Sequence, residues 1–316
     1  MGALTAAAIL PSLMLATLGA TPPRKPEGFS RNAHVGYQAQ RTPDGGFHVR
    51  FQFKDPGGQL LVFEHTYDYQ RTVDMAARFG VPSSFFQPFF EEERPNREKL
   101  MDNGLFRRTG SAVVPDLSAV TTYYSEFTEP IAGFIYSYLR EQDLDTRENR
   151  IAMAMAFVQD IPYGVPDFED DGINRSGLSP PPLILLTGYG DCDSKVTLFA
   201  GILSYLMDPA DLLFVTPAGV PHVLTAIRAT PAPGQRHINY EGHSFVFADT
   251  AGPGRLAFGE LDREEENIHS FSVEPLRWKA LPYHEDVDYG PQGQPVFQDP
   301  GGGAVEIRPR DRTVHP

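Results

Sequence analysis

The chain has 316 residues and 35.0 kDa, with 41% hydrophobic and 22% charged residues, so it can bury a sizeable core and is not globally disordered. Its 27 Lys and Arg against 41 Asp and Glu give a net charge of −14, which argues against a nucleic-acid binder, since such a protein needs a basic face for phosphates. Its single cysteine, Cys192, excludes an intramolecular disulfide framework and a cysteine-based zinc cluster.

Residues 1–20 hold no charged side chain, and Leu4, Ile9, Leu10, Leu13, Met14, Leu15 and Leu18 stand among alanines. This is the pattern of a signal peptide or an uncleaved N-terminal anchor, and it predicts export to a periplasmic or extracellular location. No other stretch is long and apolar enough to span a membrane. Residues 21–32, rich in proline, read as a linker. Between 33 and 66, Phe47, Val49, Phe51 and Phe53 alternate with polar residues, and Pro43-Asp44-Gly45-Gly46 and Asp55-Pro56-Gly57-Gly58 are turn signals. About three antiparallel strands are expected there. A helix is expected near 68–79, followed by an irregular loop at Phe85–Glu93. Residues 33–112 together read as a β-rich N-terminal extension.

From 113 the period changes to that of helices. One places Pro130, Phe134, Ile135, Tyr138 and Leu139 on a face; a second opens near Thr146 and runs to about Ile161. After Cys192 an apolar helix, Lys195–Met207, is followed by strands at Leu212–Val215, Val223–Ile227 and Ser244–Ala248. The last thirty residues, 287–316, hold ten Gly or Pro and read as a loosely attached tail.

The chemistry concentrates in Gly188-Tyr189-Gly190-Asp191-Cys192-Asp193-Ser194-Lys195. Asp191 is suited to cap the next helix, which puts Cys192 in the first turn. There the dipole and unpaired N–H groups favour a thiolate and a developing oxyanion. A nucleophilic thiol needs a base and the base an orienting group. His222 lies 30 residues on, heading a strand, and Asp249 a further 27 residues on, at the end of the last strand.

Gly190-Asp191-Cys192, the apolar helix, His222 and Asp249 in this order resemble the transglutaminase-like superfamily. Phe157-Val158-Gln159-Asp160-Ile161-Pro162-Tyr163 and Pro180-Pro181-Pro182-Leu183 resemble its segments upstream of the nucleophile, and the similarity covers residues 145–262. The resemblance implies an α+β, papain-like core of helices packed on an antiparallel sheet, spanning residues 113–286. It implies Cys192 as nucleophile, His222 as base and acid, and Asp249 as orienter. The expected chemistry is acyl transfer on an amide or peptide bond of a protein or peptide substrate, through a Cys thioester. Hydrolysis is the leading outcome and cross-linking the second, with no cofactor or metal. A non-catalytic binding or structural module on the same fold is the alternative.

A Pro- and Gly-rich insert, Ala229–Arg236, leaves His237 and His243 as competitors of His222. Analogy with relatives would put Tyr163 near the oxyanion, but a core aromatic is the expected reading. Asp167-Phe168-Glu169-Asp170-Asp171-Gly172 starts like a calcium loop, but Leu178 stands where the bidentate Glu belongs, so a solvated acidic turn is expected. Asn174-Arg175-Ser176 is a glycosylation sequon, a pattern of low specificity.

Overall fold

A computed structural model describes residues 25–83, 104–109, 112–170, 172–220, 222–262, 270–278, 297–298 and 304–305. Residues 1–20, read as an export signal or anchor, the loop expected at 85–93 and most of the expected C-terminal tail lie outside the described residues. The fold is a mixed α+β one, with six α-helices among the described residues and several antiparallel sheets.

The alternating segment forms β3 (Gly46–Lys54), the middle strand between β2 (Gly36–Arg41) and β4 (Leu60–Asp68), after β1 (Glu27–Ser30). Its burial alternates strictly, because successive side chains leave a strand on opposite faces: Phe47, Val49, Phe51 and Phe53 are buried. Asp68 then caps α1 (Tyr69–Ala77), its Oδ1 accepting from the Arg71 N–H at 2.7 Å. The short strands β5 (Val81–Pro82), β6 (Phe106–Thr109) and β7 (Ala112–Pro115) precede α2 (Leu117–Tyr123), α3 (Glu129–Glu141) and α4 (Arg147–Asp160).

The three-stranded sheet and the helices share one apolar core. The Phe157 ring, on α4, meets Phe51, Phe53 and Phe63 edge-on at centroid distances of 4.9, 5.0 and 5.7 Å. The segment read as a β-rich extension therefore packs its inner face directly on the helices. Within 21–32, expected to be a linker, β1 pairs antiparallel with β8 (Tyr163–Val165).

After the two-residue strands β9 (Glu169–Asp170) and β10 (Ile173–Asn174), α5 (Pro181–Thr187) leads to α6 (Cys192–Leu206). Every residue of α6 except Asp193 is buried, which is the signature of a helix enclosed on all sides. It packs against α2, α3 and α4, and against a five-stranded antiparallel sheet that curls into a half-barrel. That sheet has the order β13-β14-β12-β11-β15, formed by β11 (Leu212–Pro217), β12 (Leu224–Arg228), β13 (His237–Tyr240), β14 (His243–Ala248) and β15 (Phe271–Pro275). α5, β13 and β15 were not expected from the sequence.

The end of α4 is where these layers join. The Asp160 side chain is completely buried; its Oδ1 accepts from Asn32 Nδ2 at 2.9 Å, and its Oδ2 from the Lys54 N–H at 2.9 Å and from Arg255. His34 Nε2 stands 2.7 Å from the same Oδ2. Burial alone would raise its pKa, but the hydrogen bonds from Arg255, Lys54, His34 and Asn32 outweigh burial and hold it below the usual carboxylate value. A carboxyl held low in the folded state adds stability above its unfolded pKa and loses it as pH falls through the folded value.

Two outcomes are expected in urea denaturation. Phe157→Ala should cost about 3–5 kcal/mol, whereas Phe168→Ala, at a site 60% exposed, should stay within about 0.5 kcal/mol of wild type. Asp160→Asn should cost on the order of 3 kcal/mol at pH 7. The difference from wild type should narrow as pH falls below 4; a difference that stays constant with pH would show that the Asp160 charge is not what stabilises the fold.

Candidate functional site

The loop before Cys192 is shaped by one glycine. Gly188 ends α5 in the left-handed conformation, φ +76°, and a Cβ there would lie 2.4 Å from the Tyr37 ring. Tyr37 holds that corner by donating its hydroxyl to the Leu185 carbonyl. Gly190 then runs beside Tyr163: its N–H donates to the Pro162 carbonyl at 3.2 Å and its carbonyl accepts from the Gly164 N–H at 3.3 Å. Asp191 caps α6 as expected, Oδ1 accepting from the Ser194 N–H at 3.2 Å and from Ser194 Oγ at 2.6 Å. The cap places Cys192 at the first position of α6.

Cys192 is 9% exposed. Its sulfur donates to Asp193 Oδ1 at 3.1 Å and accepts from the backbone N–H of Val223, the residue after His222. Burial, then the Asp193 and Asp191 carboxylates, push the thiol well above its ordinary pKa. This reverses the expectation of a depressed thiol pKa drawn from the helix start. The dipole favours the thiolate by only about 0.3–2 kcal/mol, and desolvation beside two acidic groups exceeds that. Burial, and then the neighbouring Asp193, push Asp191 up to about 6, with the hydrogen bonds from Ser194 and its own backbone opposing.

His222 sits two residues before β12 rather than inside it, with its N–H donating to the Val220 carbonyl at 2.8 Å. Its Nε2 is 3.8 Å from Asp249 Oδ1, and the two side chains are 14% and 5% exposed. That separation is an ion-pair contact longer than a direct hydrogen bond. The register explains the approach: β12 and β14 are antiparallel neighbours with Thr225 opposite Ala248, so residues just before β12 face those just after β14. Asp249 is oriented by the Ala251 N–H, which donates to Oδ1 at 3.0 Å.

The competing histidines lie elsewhere. His243 is at the opposite end of β14 from Asp249, exposed, with the Arg228 Nη2 2.9 Å and 3.1 Å from its two ring nitrogens. His237 is exposed on β13, its Nδ1 3.2 Å from the Gln235 carbonyl. Tyr163 is half-buried, and its hydroxyl pKa is raised by burial and then by Cys192, Asp191 and Asp193, which places the phenol in the electrostatic reach of the thiol.

Two buried polar residues beneath the site were given no role in the sequence reading. Gln159, on the last turn of α4, donates from Nε2 to the Asp249 carbonyl at 2.7 Å and to the Leu256 carbonyl at 3.0 Å. Lys195, in the first turn of α6, is fully buried. The signal available for Lys195 was the one basic residue of a largely apolar helix; nothing local marked Gln159.

Of the other motifs, the sequon asparagine Asn174 is 5% exposed and its Oδ1 accepts from Ser176 N–H at 2.9 Å. Among the described residues no group of three or more His, Cys, Asp and Glu could hold a metal ion, and no helix is long and apolar enough to cross a membrane. No protein-family profile, curated protein or solved structure matches the chain.

The Asp193 contact makes the reactivity of the thiol testable. Asp193→Asn removes the strongest charged opponent of the thiolate, so iodoacetamide should alkylate Cys192 several-fold faster at pH 8, with the pH midpoint moving down. An unchanged profile would show that Asp193 does not control the thiol.

Proposed function

We propose that this protein is a thiol-dependent acyl-transfer enzyme of the transglutaminase-like type, acting by hydrolysis on an amide or peptide bond of a protein or peptide. The observation that carries the reading is the meeting of three chain-distant parts: Cys192 at the start of a buried helix, the His222–Val223 segment against its sulfur, and Asp249 3.8 Å from His222. The papain-like form of the α+β fold belongs to the same proposal, as does export, which rests on residues 1–20.

The raised thiol pKa shapes the mechanism. The resting site holds a neutral thiol rather than a preformed ion pair. Proton transfer from sulfur to His222 accompanies attack on the carbonyl carbon, so a C–S bond forms as the S–H bond breaks. Backbone N–H groups in the first turn of α6 receive the oxyanion. The imidazolium, supported by Asp249, gives its proton to the leaving amine as the C–N bond breaks. Water then attacks the thioester with His222 as base, releasing a carboxylic acid and the thiol. An amine in place of water gives cross-linking through the same intermediate.

The same raised thiol supports a second reading, a non-catalytic module in which Cys192 is a buried structural residue capped by Asp193. Turnover of a casein or fluorogenic peptide library by the full chain separates the two. Cys192→Ala should reduce kcat/KM by at least about 1,000-fold, and His222→Ala by a similar factor, with far-UV circular dichroism unchanged. Wild-type turnover in the Cys192→Ala variant would refute the acyl-transfer reading.

A further inference from the structure

Lys195 stands one helical turn after Cys192, on the inner side of α6, and is 0% exposed. Burying an ammonium costs several kcal/mol unless it is paired, and a Leu or Met would fill the same buried space at no such cost. The surroundings supply the reason for a lysine. Its Nζ donates to the Ala251 carbonyl at 2.7 Å, and the N–H of the same residue donates to Asp249 Oδ1 at 3.0 Å. One residue, Ala251, thus links the nucleophile helix to the carboxylate that faces His222.

The turn is built to admit this contact. Gly252 has φ +62°, and a Cβ there would lie 3.2 Å from Lys195 Nζ and 2.6 Å from the Gln159 carbonyl oxygen. The titratable groups acting on Lys195 come from three places around it: Asp160 from the end of α4, Asp249 from the end of β14, and Asp191 and Cys192 from the start of α6. Lys195 is the basic group they share.

We propose that Lys195 is a positioning residue of the Cys192–His222–Asp249 site: it ties α6 to the Asp249–Ala251 turn, and its positive charge offsets the negative charge that develops on the Cys192 sulfur. This inference rests on the acyl-transfer reading. Burial pulls Lys195 down to about 7, with Asp160, Asp249, Asp191 and Cys192 opposing that shift. The lysine and the thiol therefore titrate as coupled partners: a negative sulfur favours protonation of the lysine, and a protonated lysine favours a negative sulfur.

The test is the pH dependence of Cys192 alkylation by iodoacetamide between pH 6 and 10, in the full chain and in Lys195→Met, which keeps the length and apolar stem. In folded Lys195→Met the rate at pH 7 should fall roughly tenfold. A folded variant whose profile superimposes on wild type would overturn the proposal. If Lys195→Met does not fold, the lysine is followed directly by 13Cε NMR in the wild-type protein and in Asp249→Asn. Removal of the carboxylate should lower the Lys195 titration midpoint; an unchanged midpoint would overturn the proposal as well. Neither readout needs turnover, so loss of the acyl-transfer reading, decided by Cys192→Ala kinetics, is distinguishable from loss of the Lys195 coupling.

Discussion

The buried carboxylate of Asp160 is the constraint around which the molecule is assembled. It occupies the last position of α4, where the helix dipole is unfavourable to a negative charge, and its side chain has no contact with solvent. The cost of desolvating it is offset only when its donors arrive together: Asn32 and His34 from the N-terminal segment, the Lys54 N–H from β3, and Arg255 from the turn after β14. A charge that is tolerated only in one arrangement of four chain segments specifies that arrangement. Arg255 also donates to the Lys54 and Asp55 carbonyls, so the strand end and the turn are held by one guanidinium.

Its helical neighbour Gln159 carries the constraint into the site. Its amide hydrogen-bonds the Asp249 and Leu256 carbonyls, so α4 holds both ends of the turn that presents Asp249. With Lys195 bonded to the Ala251 carbonyl and Arg255 to Asp160, the turn is pinned from α4 and from α6. Neither helix contributes the carboxylate itself, yet together they decide where it stands relative to His222 and Cys192.

Such enclosure opposes easy ionisation of the thiol. The burial of α6 along nearly its whole length gives a rigid platform for Cys192, and the same burial, with Asp191 and Asp193 beside the sulfur, raises the thiol pKa. Any chemistry there depends on a base that removes the proton during attack and on positive charge that balances the result, the roles given above to His222 and Lys195. Fold by itself does not assign chemistry, so this local arrangement is the ground for a functional reading.

Features decided within a few residues could be read from the sequence alone. The alternation in β3 reports its buried face because side chains leave a strand with period two. Asp191 marks the start of α6 because an N-cap bonds the N–H three residues on, and the apolar residues that follow require burial. The presence of both helices and strands follows from the change of hydrophobic period along the chain. β13 and β15 were not legible, because both are edge strands whose identity comes from the ladder of a neighbour distant in sequence. The sequence already preferred His222 over His243; the β12–β14 register adds the spatial reason, putting one histidine beside Asp249 and the other at the far end of the strand. The direction of the thiol's pKa shift, the burial of Lys195 and the convergence on Asp160 were decided only in the tertiary structure. Desolvation and electrostatics depend on which groups surround a side chain in space, and spacing along the chain does not record that.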